Sequence, residues 1–259
     1  KSTVVKKGFI DRLVQIRDRS ERRIAIASMN YLNKAKSRYV RRLKDNFTKG
    51  MTKGIMDWSD LMAKQEERKQ VEIDISGSWL RSWNDSGYET KKEVYRKAKK
   101  KPSNSLYELA DDEVARLAIE ALADEVTRTT ATAIKVIVDR GVIEDWSLKD
   151  IIESIEQATA FDSARATLWG RTEATRATNK ASLQAYREAQ QDGIKVLKKW
   201  LNAPYGDYRE AHNELAKMKP IGVNELFWIG NLSAECPATF GEASQDCNCR
   251  CVLQPIVID

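Results

Sequence analysis

The fold is decided by the region that opens with Trp169-Gly-Arg-Thr-Glu-Ala-Thr-Arg-Ala-Thr-Asn179 and closes with Asp246-Cys-Asn-Cys-Arg-Cys-Val-Leu-Gln-Pro255. In the opening stretch, steps of three and four residues place one set of side chains on one face of a predicted helix. The set is Leu168, Trp169, Thr172, Arg176, Asn179, Leu183 and Tyr186. Polar side chains thus interrupt an apolar face, and Glu173 is placed to pair with Arg176. The face is either a solvated edge or a buried surface whose polar groups have partners, because an unpaired buried polar group costs about 1–3 kcal/mol.

The patterns on both sides of this helix predict a mostly helical chain with a small C-terminal α+β domain. The helix is expected to end near Gly193, and strands are expected at 194–201, 226–229 and 252–258. Residues 8–48 are predicted as one long helix with a broad apolar stripe. Only 12 Gly and 5 Pro in 259 residues also favour long helices over a β-sandwich. We therefore expect long N-terminal helices, followed by helices packed on a small sheet.

Short segments of glycine and small polar residues predict where helices begin and end. Ser76-Gly77-Ser78 and Ser86-Gly87 are predicted to interrupt the helices around them. Gly141 is a predicted helix C-terminus. Ser147, followed three residues later by Asp150, has the pattern of a helix N-cap.

Charge divides the chain after the lysine-rich run at 91–101. Residues 1–101 carry 27 Lys and Arg against 13 Asp and Glu, a net +14, and residues 102–259 carry 17 against 25, a net −8. This change predicts a basic, largely helical N-terminal region (1–101) and a second domain (102–259). The basic region is either a solvated lysine-rich face or a surface for an acidic partner such as double-stranded DNA. Contacts to DNA would be directed at phosphates and weakened by salt, because aromatic side chains for base stacking are few.

Four short motifs follow one another in an order that resembles a known family. They are Arg171-Thr-Glu173, then Arg176 and Asn179, then Asp207-Tyr-Arg-Glu-Ala-His212, and finally Asn248-Cys-Arg-Cys251. This ordered set is similar to the phage head morphogenesis family, the minor head proteins similar to the Mu F protein. The resemblance covers about residues 120–257. Lys217-Met-Lys-Pro-Ile221 departs from it, because the family usually has a small Asp-Gly turn there.

The resemblance implies a structural protein of the phage head rather than an enzyme. Such proteins are present in a few copies, associate with the portal inside the head, assist assembly and often travel with the DNA. The expected partners are therefore the portal protein and the major capsid or scaffolding protein, and the expected locations are the virion and, during assembly, the host cytoplasm. The motif residues are expected to form a fold-stabilising polar network. They are Arg171, Glu173, Arg176, Asn179, Arg209, His212, Asn248, Cys249, Arg250 and Cys251.

The cysteines are clustered near the C-terminal end of the sequence, and the chain has one histidine. Clustering of this kind admits a zinc site, the one cofactor that the sequence suggests. Its candidate ligands are His212, Cys236, Cys247, Cys249 and Cys251. The alternating spacing argues partly against zinc, because next-but-one thiols on an extended strand lie about 6–7 Å apart, whereas structural zinc usually uses Cys-x2–4-Cys turns. The alternatives are reduced thiols packed between sheet and helix, or one disulfide, for instance from Cys236 to a later cysteine.

Catalytic motifs are absent from the sequence. A cysteine with a histidine is the minimum for a thiol nucleophile, and Glu173 or Asp207 is available to orient the imidazole. The sequence has no nucleophile elbow, P-loop, Rossmann glycine pattern or His-Glu-x-x-His motif. We therefore expect that the protein is not an enzyme. No apolar run approaches the ~20 residues that span a bilayer, so no membrane span is expected.

Overall fold

Long helices dominate the computed structural model, which describes residues 3–48, 61–106, 112–202 and 208–258. The helices of the first two hundred residues are α1 (Thr3–Thr48), α2 (Lys64–Ala98), α3 (Asp112–Ile143), α4 (Leu148–Glu156) and α5 (Ser163–Gln191), with a 3-10 turn at Thr159–Phe161. The described residues from 195 to 258 add five strands and two short helices. The predicted fold class, mostly helical with a small C-terminal α+β part, is confirmed.

Helix α2 is continuous where the sequence predicts two interruptions. Gly77 and Gly87 both lie inside it, so the predicted breaks at these positions are wrong. An interior glycine costs only about 1 kcal/mol relative to alanine. Trp79 and Trp83, by contrast, are both buried with their rings stacked 5.7 Å apart, and burying one large apolar side chain contributes about 1.5–3 kcal/mol. Tertiary packing therefore outweighs the local preference of the glycines.

Close packing rather than helix termination explains Gly141. Helix α3 continues past it to Ile143, and a Cβ at Gly141 would lie 2.6 Å from Cγ1 of Ile151 on α4. The predicted N-cap of α4 is confirmed. The Asp150 amide donates to Ser147 Oγ (3.2 Å), and the Ser147 amide donates to the Asp150 carboxylate (3.0 Å), which is a reciprocal capping box.

The chain forms two compact units, each built from separate segments. The mixed unit comprises Lys1–Ile24, Ser78–Ala115 and Leu168–Asp259, and the helical unit comprises Ala25–Gly77 and Arg116–Thr167. Both units take residues from both sides of position 101. The compact units therefore differ from the two regions that net charge distinguishes. The predicted domain division into 1–101 and 102–259 stays a prediction.

The mixed unit contains the sheet. Strand β1 (Lys195–Leu201) is central and pairs antiparallel with β2 (Ile221–Gly222) and with β5 (Val252–Ile258), in the order β2-β1-β5. A separate hairpin is formed by β3 (Phe227–Ile229) and β4 (Leu232–Ala234). Two short helices, α6 (Glu210–Lys217) and α7 (Ala243–Asp246), lie between the strands in the chain. The three strands predicted from the sequence thus correspond to β1, β3 and β5.

The core of the mixed unit joins α5, the end of α2 and the sheet. Its members include Tyr95 from α2, Tyr186 from α5, Trp200 from β1 and Leu253 from β5. Helix α2 runs along α5 through small polar contacts, since Ser86 Oγ donates to Thr178 (3.3 Å) and the hydroxyls of Thr90 and Ser182 lie 3.0 Å apart. The face of α5 that the sequence leaves ambiguous is therefore buried, not a solvated edge.

The helical unit has a buried ion cluster at its centre. Glu67 on α2 is fully buried and accepts two hydrogen bonds from Arg38 (2.8 and 2.6 Å) and one from Arg42 (2.8 Å). The Tyr31 hydroxyl donates to the same carboxylate at 3.3 Å. Burial, and then the Glu67 charge, raise the pKa of Tyr31 well above its ordinary value, so this tyrosine stays a donor. The cluster satisfies a buried carboxylate with several donors at once.

Candidate functional site

Asn179 links α5 to the last strand through three hydrogen bonds. Its amide nitrogen donates to the carbonyls of Thr175 (2.8 Å) and Cys251 (2.9 Å), and its amide oxygen accepts from the Leu253 backbone N–H (2.8 Å). Asn179 is completely buried. Where β5 begins, the Asn179 side chain thus binds backbone groups that a neighbouring strand would otherwise bind.

Two threonines on the same face of α5 hold the segment just before β5. Thr175 Oγ1 donates to the Cys249 carbonyl at 2.7 Å. Thr172 Oγ1 accepts from the Asn248 backbone N–H at 3.2 Å and donates to the Leu168 carbonyl at 2.9 Å. With Asn179, these side chains form a row along α5 that binds the backbone of the Asn-Cys-Arg-Cys motif residue by residue. The sequence analysis missed Thr175, although its place between Thr172 and Asn179 is the signal that could have found it.

Glu173 and Arg176 form the predicted ion pair, and both also bind other parts of the mixed unit. Glu173 is buried and accepts a hydrogen bond from the Trp79 indole N–H (3.3 Å). Arg176 Nε donates to the Ala238 carbonyl (2.9 Å), and its Nη2 lies 4.0 Å from the Asp246 carboxylate. Burial alone would lower the pKa of Arg176, but the nearby Glu173 and Asp246 carboxylates raise it. The pair therefore fixes α5 to α2 and to the loop after β4.

Asp246 organises that loop from the other side. Its carboxylate accepts from the backbone N–H groups of Phe240 (2.9 Å) and Gly241 (2.8 Å). The sequence analysis did not single out Asp246, because an acidic residue in a charged chain carries no distinctive signal on its own.

The three remaining arginines of the motif set make outer contacts. Arg171 and Arg250 both pair with Glu21 on α1, at 2.9 and 2.5 Å. Arg209 donates to the Cys247 carbonyl at 2.6 Å. Arg171 is exposed, with 43% of its side chain accessible, so its pair with Glu21 contributes little to stability. Asp207, which opens the third motif, lies outside the described residues.

His212 on α6 meets two of the cysteines in the interior. Its Nδ1 lies 3.8 Å from Cys249 Sγ and 3.6 Å from Cys251 Sγ. The three residues are only 1–2% exposed, and their three ligand-type atoms all lie within 4.8 Å of one another. The rings of Trp200 and Phe240 enclose the imidazole, with ring centroids at 5.3 and 6.2 Å.

The predicted geometry of the cysteine run is wrong. An extended strand through all three alternating cysteines would separate neighbouring thiols by about 6–7 Å, but β5 begins only at Val252. Asn248 adopts φ +57°, a left-handed conformation that turns the chain before Cys249. As a result, Cys249 and Cys251 converge on His212, and Cys247 does not join them.

The other two cysteines of the predicted zinc set lie apart from this cluster. Cys236 is buried in the core of the mixed unit, with its Sγ 3.8 Å from Thr239 Oγ1. Burial raises the pKa of Cys236 to about 12, so it is a thiol at neutral pH. None of the four cysteines, all within the described residues, is in a disulfide.

A hydrogen bond between Cys249 and Cys251 shifts the pKa values of both. The hydrogen bond from the Cys251 thiol lowers the pKa of Cys249, against the effect of burial, and His212 acts in the same direction as that hydrogen bond. The same Cys249–Cys251 hydrogen bond and burial raise the pKa of Cys251, which the Trp200 indole only partly offsets. The hydrogen bond between the two sulfurs thus shifts the two pKa values in opposite directions.

The comparison with known families gives the clearest information on function. Residues 132–254 match the family model described as "Phage Mu protein F like protein". This part of the chain is therefore similar to the Mu F-like family of phage proteins. The match contains the α5 row, His212 and the Asn-Cys-Arg-Cys motif, so the family resemblance read from these motifs is confirmed.

One curated relative carries the name of an enzyme. NAD(+)--arginine ADP-ribosyltransferase EFV of Enterococcus faecalis is 34% identical over 160 residues, which is 62% of this chain and 29% of the relative. The chain therefore spans less than a third of that relative's length. No solved structure matches the chain. Among the described residues, no helix is long and apolar enough to cross a membrane.

The structure brings most of the predicted motif residues to one interface, between α5 and the segment that leads into β5. Glu173, Arg176 and Asn179 lie on the helix side, and the 248–251 motif lies on the other side. Arg209 and His212 reach the same segment from α6 and its start. Arg171 and Arg250 instead lie at the rim and bind α1.

Proposed function

We propose that the protein is a minor head protein of a tailed phage, associated with the portal inside the head. It assists head assembly, contributes to DNA packaging or ejection, and contacts the portal protein and the major capsid or scaffolding protein. It is present in the host cytoplasm during assembly and then in the virion. The observation that carries this proposal is the Mu F-like match over residues 132–254. The motif geometry agrees with it, because the matched polar side chains are engaged in internal contacts that hold the fold.

The proposal is tested by quantitative mass spectrometry of purified particles from the source phage, normalised to the portal protein. We expect a reproducible amount below that of the portal, retained through density purification and lost from particles assembled without portal. Detection only in the soluble fraction of infected cells would contradict a structural role.

The variant Glu173→Ala separates a structural motif from a binding or catalytic one. It leaves Arg176 and the Trp79 indole without their buried partner, and breaking a buried ion pair costs about 3–5 kcal/mol. We expect a lower melting temperature, with unchanged portal binding per folded molecule at a temperature where the variant is folded. Arg171→Ala is the matched control, because it removes an exposed pair from the same helix. A loss of portal binding without a loss of stability would assign Glu173 to a binding surface.

A second candidate function is non-specific binding of DNA through the basic N-terminal region. It is favoured by a surface depression of about 360 Å³ in the helical unit, lined in part by Lys36, Arg41 and Lys44. Asp45 and Glu156 also line it. Many other basic side chains of this region are paired with acids, as Arg38 and Arg42 are with Glu67.

Salt dependence tests this candidate, because each phosphate contact steepens the loss of affinity with salt. If the depression binds DNA, the double variant Lys36→Ala and Arg41→Ala flattens the plot of log affinity against log salt. Arg96→Ala is the control, because Arg96 already pairs with Glu93. No duplex binding by the wild type at low salt would remove the candidate.

An enzymatic role is the remaining alternative, because the relative in Enterococcus faecalis is named an ADP-ribosyltransferase. The shared region is only 29% of that relative, so its name describes a much longer protein. In addition, the Cys249 and His212 side chains are enclosed in the core, where a substrate does not reach them. We expect no transfer of ADP-ribose from NAD+ to arginine by the purified chain. Transfer by the wild type would make the protein an enzyme.

A further inference from the structure

The separations within the His212, Cys249 and Cys251 cluster are those of ligands around one metal ion. In a tetrahedral zinc site, Zn–S bonds of about 2.3 Å and Zn–N bonds of about 2.0 Å place nitrogen and sulfur ligands about 3.5 Å apart. The observed distances from His212 Nδ1 to the two sulfurs are 3.6 and 3.8 Å. The two sulfurs lie within 4.8 Å of each other, where the ideal value is about 3.8 Å. Small side-chain movements would therefore complete the geometry.

A fourth candidate ligand atom, an oxygen, lies beside the cluster. Asn202 Oδ1, at the end of β1, lies 3.4 Å from Cys251 Sγ. The other end of the Asn202 amide is fixed, because its nitrogen donates to Asn213 Oδ1 at 2.5 Å. Asn213 follows His212 on α6, so the same helix supplies one ligand and orients another. The Asn202 oxygen is thus held towards the sulfur instead of turning to solvent.

The surroundings also make a cation favourable. Sulfur and imidazole ligands suit zinc and other metals that prefer soft donors. Two thiolates would neutralise a divalent ion, which removes the cost of burying an isolated charge.

We propose that His212 Nδ1, Cys249 Sγ and Cys251 Sγ bind one zinc ion, with Asn202 Oδ1 at the fourth position. The ion joins α6, the end of β1 and the Asn-Cys-Arg-Cys segment, and its role is structural because the site is closed to solvent. Cys236 and Cys247, which the sequence also offered as ligands, have no part in it. The site is independent of whether the protein associates with the portal.

Metal analysis of the full chain tests the site directly. The protein is purified under reducing conditions without chelators, and its zinc content is measured by mass spectrometry. It is then stripped and titrated with Co2+. We expect one zinc per chain and, with Co2+, the absorption of a tetrahedral ion together with thiolate-to-cobalt charge transfer. A reduced wild-type protein that holds no zinc and gives no such absorption would overturn the proposal, whatever its variants do.

Variants identify the ligands. Cys249→Ser and Cys251→Ser are each expected to weaken zinc binding by at least about 100-fold, beyond the 10–100-fold typical of residues that only support ligands. Cys236→Ser and Cys247→Ser are matched controls and should retain one zinc per chain. His212→Cys keeps a ligand at the same place, so it should bind Co2+ with stronger charge transfer from a third thiolate. Equal zinc binding by Cys249→Ser and the wild type would overturn the assignment.

The pH dependence provides a readout that does not depend on folding of a variant. Both thiols must lose their protons to bind zinc, so affinity is expected to fall as pH is lowered and zinc binding should release protons. Calorimetry of zinc binding in two buffers of different ionisation enthalpy measures that release. Binding without proton release would contradict ligation by the two thiols.

Discussion

The two units satisfy their buried polar groups in different ways. In the helical unit, the buried carboxylate of Glu67 is paired with the side chains of Arg38 and Arg42, so side chains on neighbouring helices bind each other. In the mixed unit, several buried polar side chains bind backbone groups instead. Asn179 and Thr175 are examples, since both are directed at carbonyl or N–H groups of the segment before β5.

The difference follows from the structure of the segments being held. Helices satisfy their own backbone hydrogen bonds, so side chains in the helical unit remain available for one another. The chain from Glu235 to Cys251 has little regular structure, and its buried backbone groups need partners from elsewhere. Side chains from α5, α1 and β1 supply these partners. They include Arg176 to Ala238, Arg17 to Arg250 and Lys198 to Glu235.

The comparison explains why the family motif on α5 contains polar residues. Arg176 and Asn179 on α5 each bind a backbone group of the segment that leads into β5. Glu173 instead binds the side chains of Arg176 and Trp79. Such a motif contains the residue types of an active site. Its hydrogen bonds, however, are internal ones that hold α5 to the chain before β5.

The largest effect is expected for Glu67→Ala in the helical unit. It leaves the guanidinium groups of Arg38 and Arg42 largely buried without their partner, which costs about 3–5 kcal/mol of unfolding free energy. Glu66→Ala is the matched control, since its carboxylate also binds Arg42 but is two-thirds exposed, and an exposed pair contributes about 0–1 kcal/mol. Denaturant unfolding followed by circular dichroism measures both. Equal losses for the two variants would mean that the buried cluster is no stronger than a surface pair.

Asn179→Ala tests the hydrogen bonds that join α5 to β5 and the segment before it in the mixed unit. The change removes the partners of the Cys251 carbonyl and the Leu253 N–H, and both are in a buried part of the chain. We expect a loss of about 2–4 kcal/mol, because each buried group left unsatisfied costs about 1–3 kcal/mol. Gln191→Ala, exposed at the end of the same helix, should change stability by less than about 0.5 kcal/mol. Hydrogen exchange at the Leu253 amide should accelerate in the first variant only.

Regular elements were predictable because they depend on periodicity. The helix through Asn179, the strand pattern around Trp200 and the capping box at Ser147 all follow from spacing that is visible in the sequence. The glycines were misleading, since Gly77 and Gly87 lie within a helix that buried tryptophans stabilise. Local preference of about 1 kcal/mol is easily exceeded by packing that only the fold reveals.

The sequence predicted which residues form the site but not which groups they bind. The family motif identified Asn179 and Cys249, but nothing in the sequence says that a threonine at 175 binds the carbonyl of Cys249. The pairing depends on the left-handed turn at Asn248, which shifts the cysteines out of strand register. The same turn brings His212 within reach of two cysteines and leaves Cys247 apart. The short helix at Ala243–Asp246 and the turn at Asn248 thus replace the extended strand that the spacing predicts.

Lys198 is a charged side chain of the mixed unit that also binds a backbone group. Its ammonium is buried and donates to the Glu235 carbonyl at 2.8 Å, and burial lowers the pKa of Lys198 to about 8, against the effects of Cys236 and Glu235. Below pH 8 the lysine is charged in both the folded and the unfolded chain. Between pH 8 and about 10.5 the unfolded chain binds more protons, so stability rises with pH by about 1–3 kcal/mol through this group.

The measurement is the difference in unfolding free energy between the wild type and Lys198→Met at a series of pH values, since groups common to both proteins largely cancel. We expect the wild type to gain on the variant from pH 8 upwards and the gain to level off above about pH 10.5. The same comparison with Lys195→Met, an exposed lysine at the start of β1, serves as control. If the difference in unfolding free energy did not change with pH, the pKa of Lys198 would be that of an exposed lysine.

The smallest effect is expected at Asn248, where the comparison depends on backbone conformation alone. Its side chain is exposed, and its φ of +57° is one that asparagine and glycine adopt more readily than alanine. Asn248→Ala should therefore cost about 1 kcal/mol, and Asn248→Gly should cost close to nothing. The Asn248 N–H that binds Thr172 is retained in both variants, so any difference between them reports the turn itself. If alanine and glycine were equally tolerated, the left-handed turn would not be what directs Cys249 and Cys251 towards His212. A loss with both variants would instead give the asparagine side chain a role of its own in holding this segment.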